Sequence, residues 1–149
     1  MQDVINEMNV NFLSRSYNEG FARSVVSAFV AQLDPTIDEL ADIKTAVSEA
    51  VTNCIVHGYK NGIGKIYISS KIYSSGKILI KIKDKGCGIE DVEQAMEPLF
   101  TTGGSERSGL GFAVMQSFMD KIKVASKVGK GTTVTLQKYI IRRPLNHEK

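Results

Sequence analysis

Glu49 and Asn53 stand one helical turn apart in the run Ser48-Glu49-Ala50-Val51-Thr52-Asn53. A carboxylate there can take up a proton, and an amide oxygen can hold a hard cation. At 100° per residue, Ile43, Val47, Ala50, Val51 and Cys54 form one apolar arc, with Glu49 and Asn53 projecting together roughly opposite it. The spacing suits a groove-lining face, and a solvated polar face fits it as well. A second run, Asp84-Lys85-Gly86-Cys87-Gly88-Ile89, leaves an alternating stretch of lysines and isoleucines. Its acid can accept the N–H groups of a flat ligand, while Gly86 and Gly88 let the backbone approach that ligand closely. A plain turn also fits. The third run is Pro98-Leu99-Phe100-Thr101-Thr102 followed by the glycine-rich stretch from Gly103 to Gly111. It reads as a loop leading into a helix that starts at Gly109, whose free N–H groups and dipole suit an anion, with Arg107 adding a full charge. A surface loop without a ligand is the plainer reading.

Other phosphate and metal motifs are missing. No Gly-x-x-x-x-Gly-Lys-Ser/Thr run occurs, and Gly109-Leu110-Gly111 follows a polar stretch where a dinucleotide fingerprint needs a strand. The Gly-rich loop, paired lysine and His-Arg-Asp set of ordinary protein kinases are absent too. Cys54 and Cys87 lie far apart without a neighbouring ligand cluster, so a zinc site is not expected and the thiols should stay reduced. With 19 basic and 16 acidic residues, the net charge of +3 falls largely on the tail and does not make a coherent nucleic-acid face. There is no apolar span for a membrane and no leader-like start, so a cytoplasmic location is expected. A length of 149 residues with 42% hydrophobic content suits one domain, 1–149, with a core that needs no staples.

These residues need a scaffold. Near-alternation over 8–14 predicts a first strand. Caps at Ser16-Tyr17-Asn18 precede apolar residues at helical spacing from Phe21 to Leu33. Asp34-Pro35-Thr36 separates that helix from a second, running from about Thr36 to His57 and closed by Gly58, with Asp38 and Glu39 in its first turn. Lys65–Tyr73 and Lys77–Asp84 form a hairpin around Ser74-Ser75-Gly76. A helical turn near Asp91–Met96, a helix from Gly109 to Met119 and a last hairpin, Lys121–Ser126 with Thr132–Tyr139, complete the chain. The order β-α-α-β-β-(loop)-α-β-β predicts an α+β sandwich: one largely antiparallel sheet with helices on one face.

The three runs together, in this order, resemble the GHKL ATPase superfamily. Glu49 to Asn53 matches its N box, Asp84 to Gly88 its first glycine box, Ser108 to Gly111 its second, and Gly131-Thr132-Thr133 the strand near the adenine. The resemblance implies the two-layer α+β sandwich of that superfamily, a mostly antiparallel mixed sheet under helices. In 149 residues there is no room for the extra domains of gyrase, Hsp90 or MutL, nor for a phosphoacceptor helix pair. From about Asn6 to Tyr139 the chain is closely similar to the anti-sigma serine kinases of Gram-positive bacteria, of the sporulation type. Ala31-Gln32-Leu33-Asp34-Pro35-Thr36, His57-Gly58-Tyr59, Pro98 to Thr102, Glu106 to Gly109 and Ser117 to Asp120 carry that likeness.

The resemblance implies ATP/ADP and Mg²⁺ as ligands. Asp84, helped by Thr133, would accept the adenine amino group within the box of Gly86 and Gly88. Asn53 would bind Mg²⁺. Thr101 and Thr102 belong to the nucleotide-binding set. Arg107 and the N–H groups of Ser108, Gly109, Leu110 and Gly111 would hold the phosphates. Glu49 would deprotonate a substrate serine. The implied partners are the sigma factor sigma-F, an anti-anti-sigma protein phosphorylated on serine, and a second copy in a homodimer, with no membrane and no direct nucleic acid. The first helix around Asn18 to Arg23 is a candidate partner surface. Two alternatives share the motifs: an ATP-gated anti-sigma module with little kinase activity, and a general-stress anti-sigma kinase. The segment after Thr102, with Gly103-Gly104, is one residue shorter than in relatives and lacks their Lys-Pro. The tail from Ile140 to Lys149 lies outside the likeness.

Overall fold

The computed structural model describes residues 3–97 and 110–140. The sequence expectations for Thr101, Thr102, Arg107, Ser108 and Gly109 lie outside the described residues, as do those for Gly103-Gly104 and the tail beyond Ile140.

Strand β1 (Val4–Leu13) starts earlier than its alternation suggests, because Val4 and Ile5 lie on an exposed edge that leaves no burial pattern. Helix α1 (Asn18–Val30) is followed by a 3₁₀ turn, Ala31–Leu33. Asp34 then takes a left-handed conformation (φ 53°), and Thr36 caps α2 (Ile37–Asn53). That cap is reciprocal: Glu39 N–H donates to Thr36 Oγ1 at 3.0 Å and Thr36 N–H to Glu39 Oε1 at 2.8 Å. Thr36→Ala is expected to lower stability by about 1 kcal/mol, measured by denaturant unfolding, without changing ligand binding.

The hairpin of β2 (Lys65–Tyr73) and β3 (Lys77–Asp84) is as expected. After it come two short helices, α3 (Val92–Met96) and α4 (Phe112–Phe118), then β4 (Lys121–Lys127) and β5 (Gly131–Tyr139). The sheet order is β1-β2-β3-β5-β4, and all of its pairings are antiparallel, so among the described residues the sheet carries no parallel pair. One face of each strand is apolar: Ile66, Ile68 and Ile72, then Ile78, Ile80 and Ile82, then Val134 and Leu136, are buried under the helices. Their partners are Ala22, Val26 and Val30 of α1 and Ile43, Ala46, Val47, Ala50 and Val51 of α2. Period-2 burial on the strands and a helical arc above them make one core.

This packing places the candidate residues. Helix α2 lies against the sheet, against α1 and against the segment entering α4. β5, not β4, sits beside β3, which brings Thr132 level with Asp84.

Candidate nucleotide site

Asn53 is not on a solvated face. It is 9% exposed, because the buried arc of α2 extends to Ala46 and Leu110 covers the flank beyond it. The expectation that Asn53 projects opposite the apolar arc is therefore corrected. Its Nδ2 donates to the Leu110 carbonyl at 2.5 Å, which leaves Oδ1 buried and without a partner among the described residues. A buried acceptor without a donor costs free energy unless something else fills it. Glu49, one turn earlier, is only partly buried, and its carboxylate rests on Gly111. Gly111 has φ 67°, a conformation that favours glycine, and a Cβ there would displace the Glu49 carboxylate. That left-handed residue is also the N-cap of α4, which begins at Phe112 rather than at Gly109 as the sequence suggested. Burial, and second the negative charge of Glu19, raise the Glu49 carboxyl above its ordinary value of 4.5. Glu19 is paired with Arg23 at 2.6 Å, and Arg23 also reaches Ser48 Oγ at 3.3 Å. Arg23 thus lies beside Glu49, with its side chain still 40% exposed.

At the other end of the cleft Asp84 is 4% exposed at the last position of β3. Burial raises its carboxyl above 3.8, and three donors oppose that rise: the Gly86 N–H, the Cys54 thiol and the Thr132 N–H. The Gly86 N–H to Oδ1 distance is 2.9 Å. Gly86 packs directly on the Gly58 carbonyl, and any side chain there would overlap it. The cleft that holds Asn53 and Asp84 is also lined by Ala50, Cys54, Ile82, Gly88, Ile89, Leu110, Phe112 and Val134. A largely apolar cleft with one buried carboxylate among its lining suits a heteroaromatic base that carries an amino group.

Thr133 is a correction. Its register partner is Lys83, so it faces the opposite side of the sheet from Asp84, and it does not line the cleft. Thr132 lines it instead. Counting alternate residues back from Val134 and Leu136 would have found Thr132 in the sequence. Cys54 was read only as part of the apolar arc, since nothing in its own spacing shows that its thiol meets Asp84. Among the described residues there is no cluster of three or more His, Cys, Asp or Glu able to hold a metal alone. A cation here would take one protein oxygen, the orphaned Oδ1 of Asn53, and its other ligands from phosphate and water. The site fits Mg²⁺ on those terms, since that ion keeps several waters and shares phosphates. No helix among the described residues is long and apolar enough to cross a membrane.

Comparisons with known proteins give the family and the fold. Residues 14–138 match the model of the histidine kinase-like ATPase domain. The chain is 64% identical over 139 residues to an anti-sigma F factor of Thermoanaerobacter sp. (strain X514), covering 93% of this chain and 96% of the relative. It is 56% identical over 134 residues to an anti-sigma F factor of Geobacillus stearothermophilus, covering 89% and 92%. Among solved structures, the RsbU and RsbW domains of a Mycobacterium tuberculosis protein superpose with a TM-score of 0.68 at 18% identity, over 93% of this chain and 33% of that one. A histidine kinase domain from Erythrobacter litoralis gives 0.55 at 17% identity, over 82% and 61%. At those identities the structures speak to the fold. The chain belongs to the histidine kinase-like ATPase domain family and, within it, to the anti-sigma F factors.

Proposed function

We propose that this chain binds and silences a sigma factor of the sigma-F type when loaded with ATP, and that it is a serine kinase that phosphorylates an anti-anti-sigma protein. The observation that carries the reading is the cleft itself. It has a buried carboxylate, Asp84, at one end and an orphaned amide oxygen, Asn53 Oδ1, at the other, with Glu49 one turn beyond. The name shared by relatives at 64% identity supplies the partner class. Asp84 accepts the amino group of adenine, and the apolar walls hold the ring. Asn53 Oδ1 would hold Mg²⁺, which would neutralise phosphate charge when bound. The backbone N–H groups of Leu110 and Gly111 would hold the phosphates, and the resemblance assigns Arg107, Ser108 and Gly109 the same role. Thr101 and Thr102 belong to the same set. Glu49 takes the proton from the substrate serine hydroxyl as the serine oxygen bonds to the γ-phosphorus and the bond to the β–γ bridging oxygen breaks, releasing ADP; its raised basicity suits that role. A homodimer and a cytoplasmic site of action complete the reading.

Nucleotide selects between the two partners only through its unequal affinity for the two complexes. The test is to incubate the purified chain with Mg-ATP and an anti-anti-sigma protein from the same genome, then weigh the intact products. A gain of one phosphate on a substrate serine supports the reading. Tight Mg-ATP binding with no transfer would leave a nucleotide-gated sigma antagonist that is not a kinase.

A further inference from the structure

Helix α2 does not stop as an α-helix. Cys54–Gly58 forms a π-turn, closed by the Tyr59 N–H donating to the Cys54 carbonyl at 2.9 Å. Such turns change the phase of the chain and recur at functional sites. Here the turn meets the exit of β3 at several points. The Cys87 N–H donates to the Gly58 carbonyl at 3.0 Å, and Cys87 Sγ to the His57 carbonyl at 3.2 Å. The Tyr59 hydroxyl accepts the Lys85 N–H at 2.7 Å and donates to the Lys65 carbonyl at 2.6 Å.

Those two backbone groups have a particular meaning. The β2–β3 ladder ends at the pair Ile66–Asp84, and the next rung would join Lys65 to Lys85. The Tyr59 hydroxyl, with one proton to give and lone pairs to receive, stands where that rung would be. The strands part at this point, and the chain from Lys85 turns back over Gly58 instead of continuing along β2. Asp84 is thereby the last strand residue and is held facing the cleft, with its Oδ1 on the Gly86 N–H. The ring of Tyr59 is seated on Gly64, where no Cβ could fit without moving it.

We propose that Tyr59 is a positioning residue for base recognition: its hydroxyl replaces the ladder rung beyond Ile66–Asp84 and so sets how the Asp84 carboxylate meets an adenine. This rests on the nucleotide reading above. Its hydroxyl is taken up by the Lys65 carbonyl and the Lys85 N–H, and Tyr59 does not line the cleft, so its effect is on base selection through Asp84 and not on phosphate contacts.

The test is calorimetric titration of the full chain with Mg-ATP and with Mg-GTP, for wild type and Tyr59→Phe, alongside thermal melts followed by circular dichroism. The preference for ATP over GTP is expected to fall about tenfold in the variant, mostly through weaker ATP binding. A general loosening of the fold would weaken both nucleotides alike, so the ratio separates the two explanations. A folded Tyr59→Phe protein with an unchanged ratio overturns the proposal. If that variant does not fold, Gly64→Ala, which displaces the ring and keeps the hydroxyl, should show the same fall, and an unchanged ratio there overturns it. A wild-type chain that binds neither nucleotide, or binds both equally, overturns the nucleotide reading itself, whereas wild-type preference for ATP leaves only the role of Tyr59 at stake.

Discussion

Asp84→Asn is expected to weaken Mg-ATP binding by about one to two orders of magnitude, because the base amino group loses its acceptor and meets an N–H group instead. The same change presents a donor to the keto oxygen of guanine, so discrimination against GTP should collapse in parallel. Stability should move the other way. The folded-state carboxyl of Asp84 is raised above 3.8 by burial. A raised acid binds its proton more tightly in the folded state than in the unfolded one. Its ionisation therefore costs the fold stability as pH rises from the unfolded value through the folded one. Without nucleotide, Asp84→Asn should melt at or above the wild-type temperature at neutral pH, and that advantage should vanish below the unfolded carboxylate range. Titration calorimetry and melts at two pH values check both halves. A large loss of stability at neutral pH would mean that the Gly86, Cys54 and Thr132 donors outweigh the burial cost, and that Asp84 is primarily structural.

Glu49→Gln should reduce phosphoryl transfer by about 10²- to 10⁴-fold, the usual worth of a positioned general base, and leave Mg-ATP affinity nearly unchanged. Glutamine keeps the shape of the contact with Gly111 and removes only the capacity to take a proton. The pH dependence gives a second reading. Glu49 works as a base only when ionised, and burial with the nearby Glu19 charge holds its carboxyl above 4.5. The single-turnover rate should therefore rise with pH through a value above that of an ordinary glutamate and then level off. The variant should lack this limb. Equal loss of ATP affinity and transfer in Glu49→Gln would instead place the residue in nucleotide binding.

Much of the scaffold was legible from local chemistry. The helix start at Asp34-Pro35-Thr36, the lysine–isoleucine alternation of β3 and the turn at Ser74-Ser75-Gly76 are short-range patterns, and each has one good structural solution. Residue type and spacing marked Glu49, Asn53 and Asp84 as candidates, but a solvated face and a plain turn fitted them as well, and their roles came from the resemblance of the three runs taken together. Tertiary structure decided which of them are buried and what they meet. Asn53 became buried because a segment 57 residues further along brings up a carbonyl that accepts from its amide. Helical periodicity on one strip of sequence carries no record of such a partner. Thr132 rather than Thr133 faces Asp84 because β5 inserts between β3 and β4, and a one-residue choice of face is settled by pairing register. The π-turn that lifts Tyr59 into the gap between β2 and β3 looks like the end of any helix in the sequence. Its cause is the set of hydrogen bonds it makes with Lys65, Lys85 and Cys87, and those exist only once the sheet is assembled.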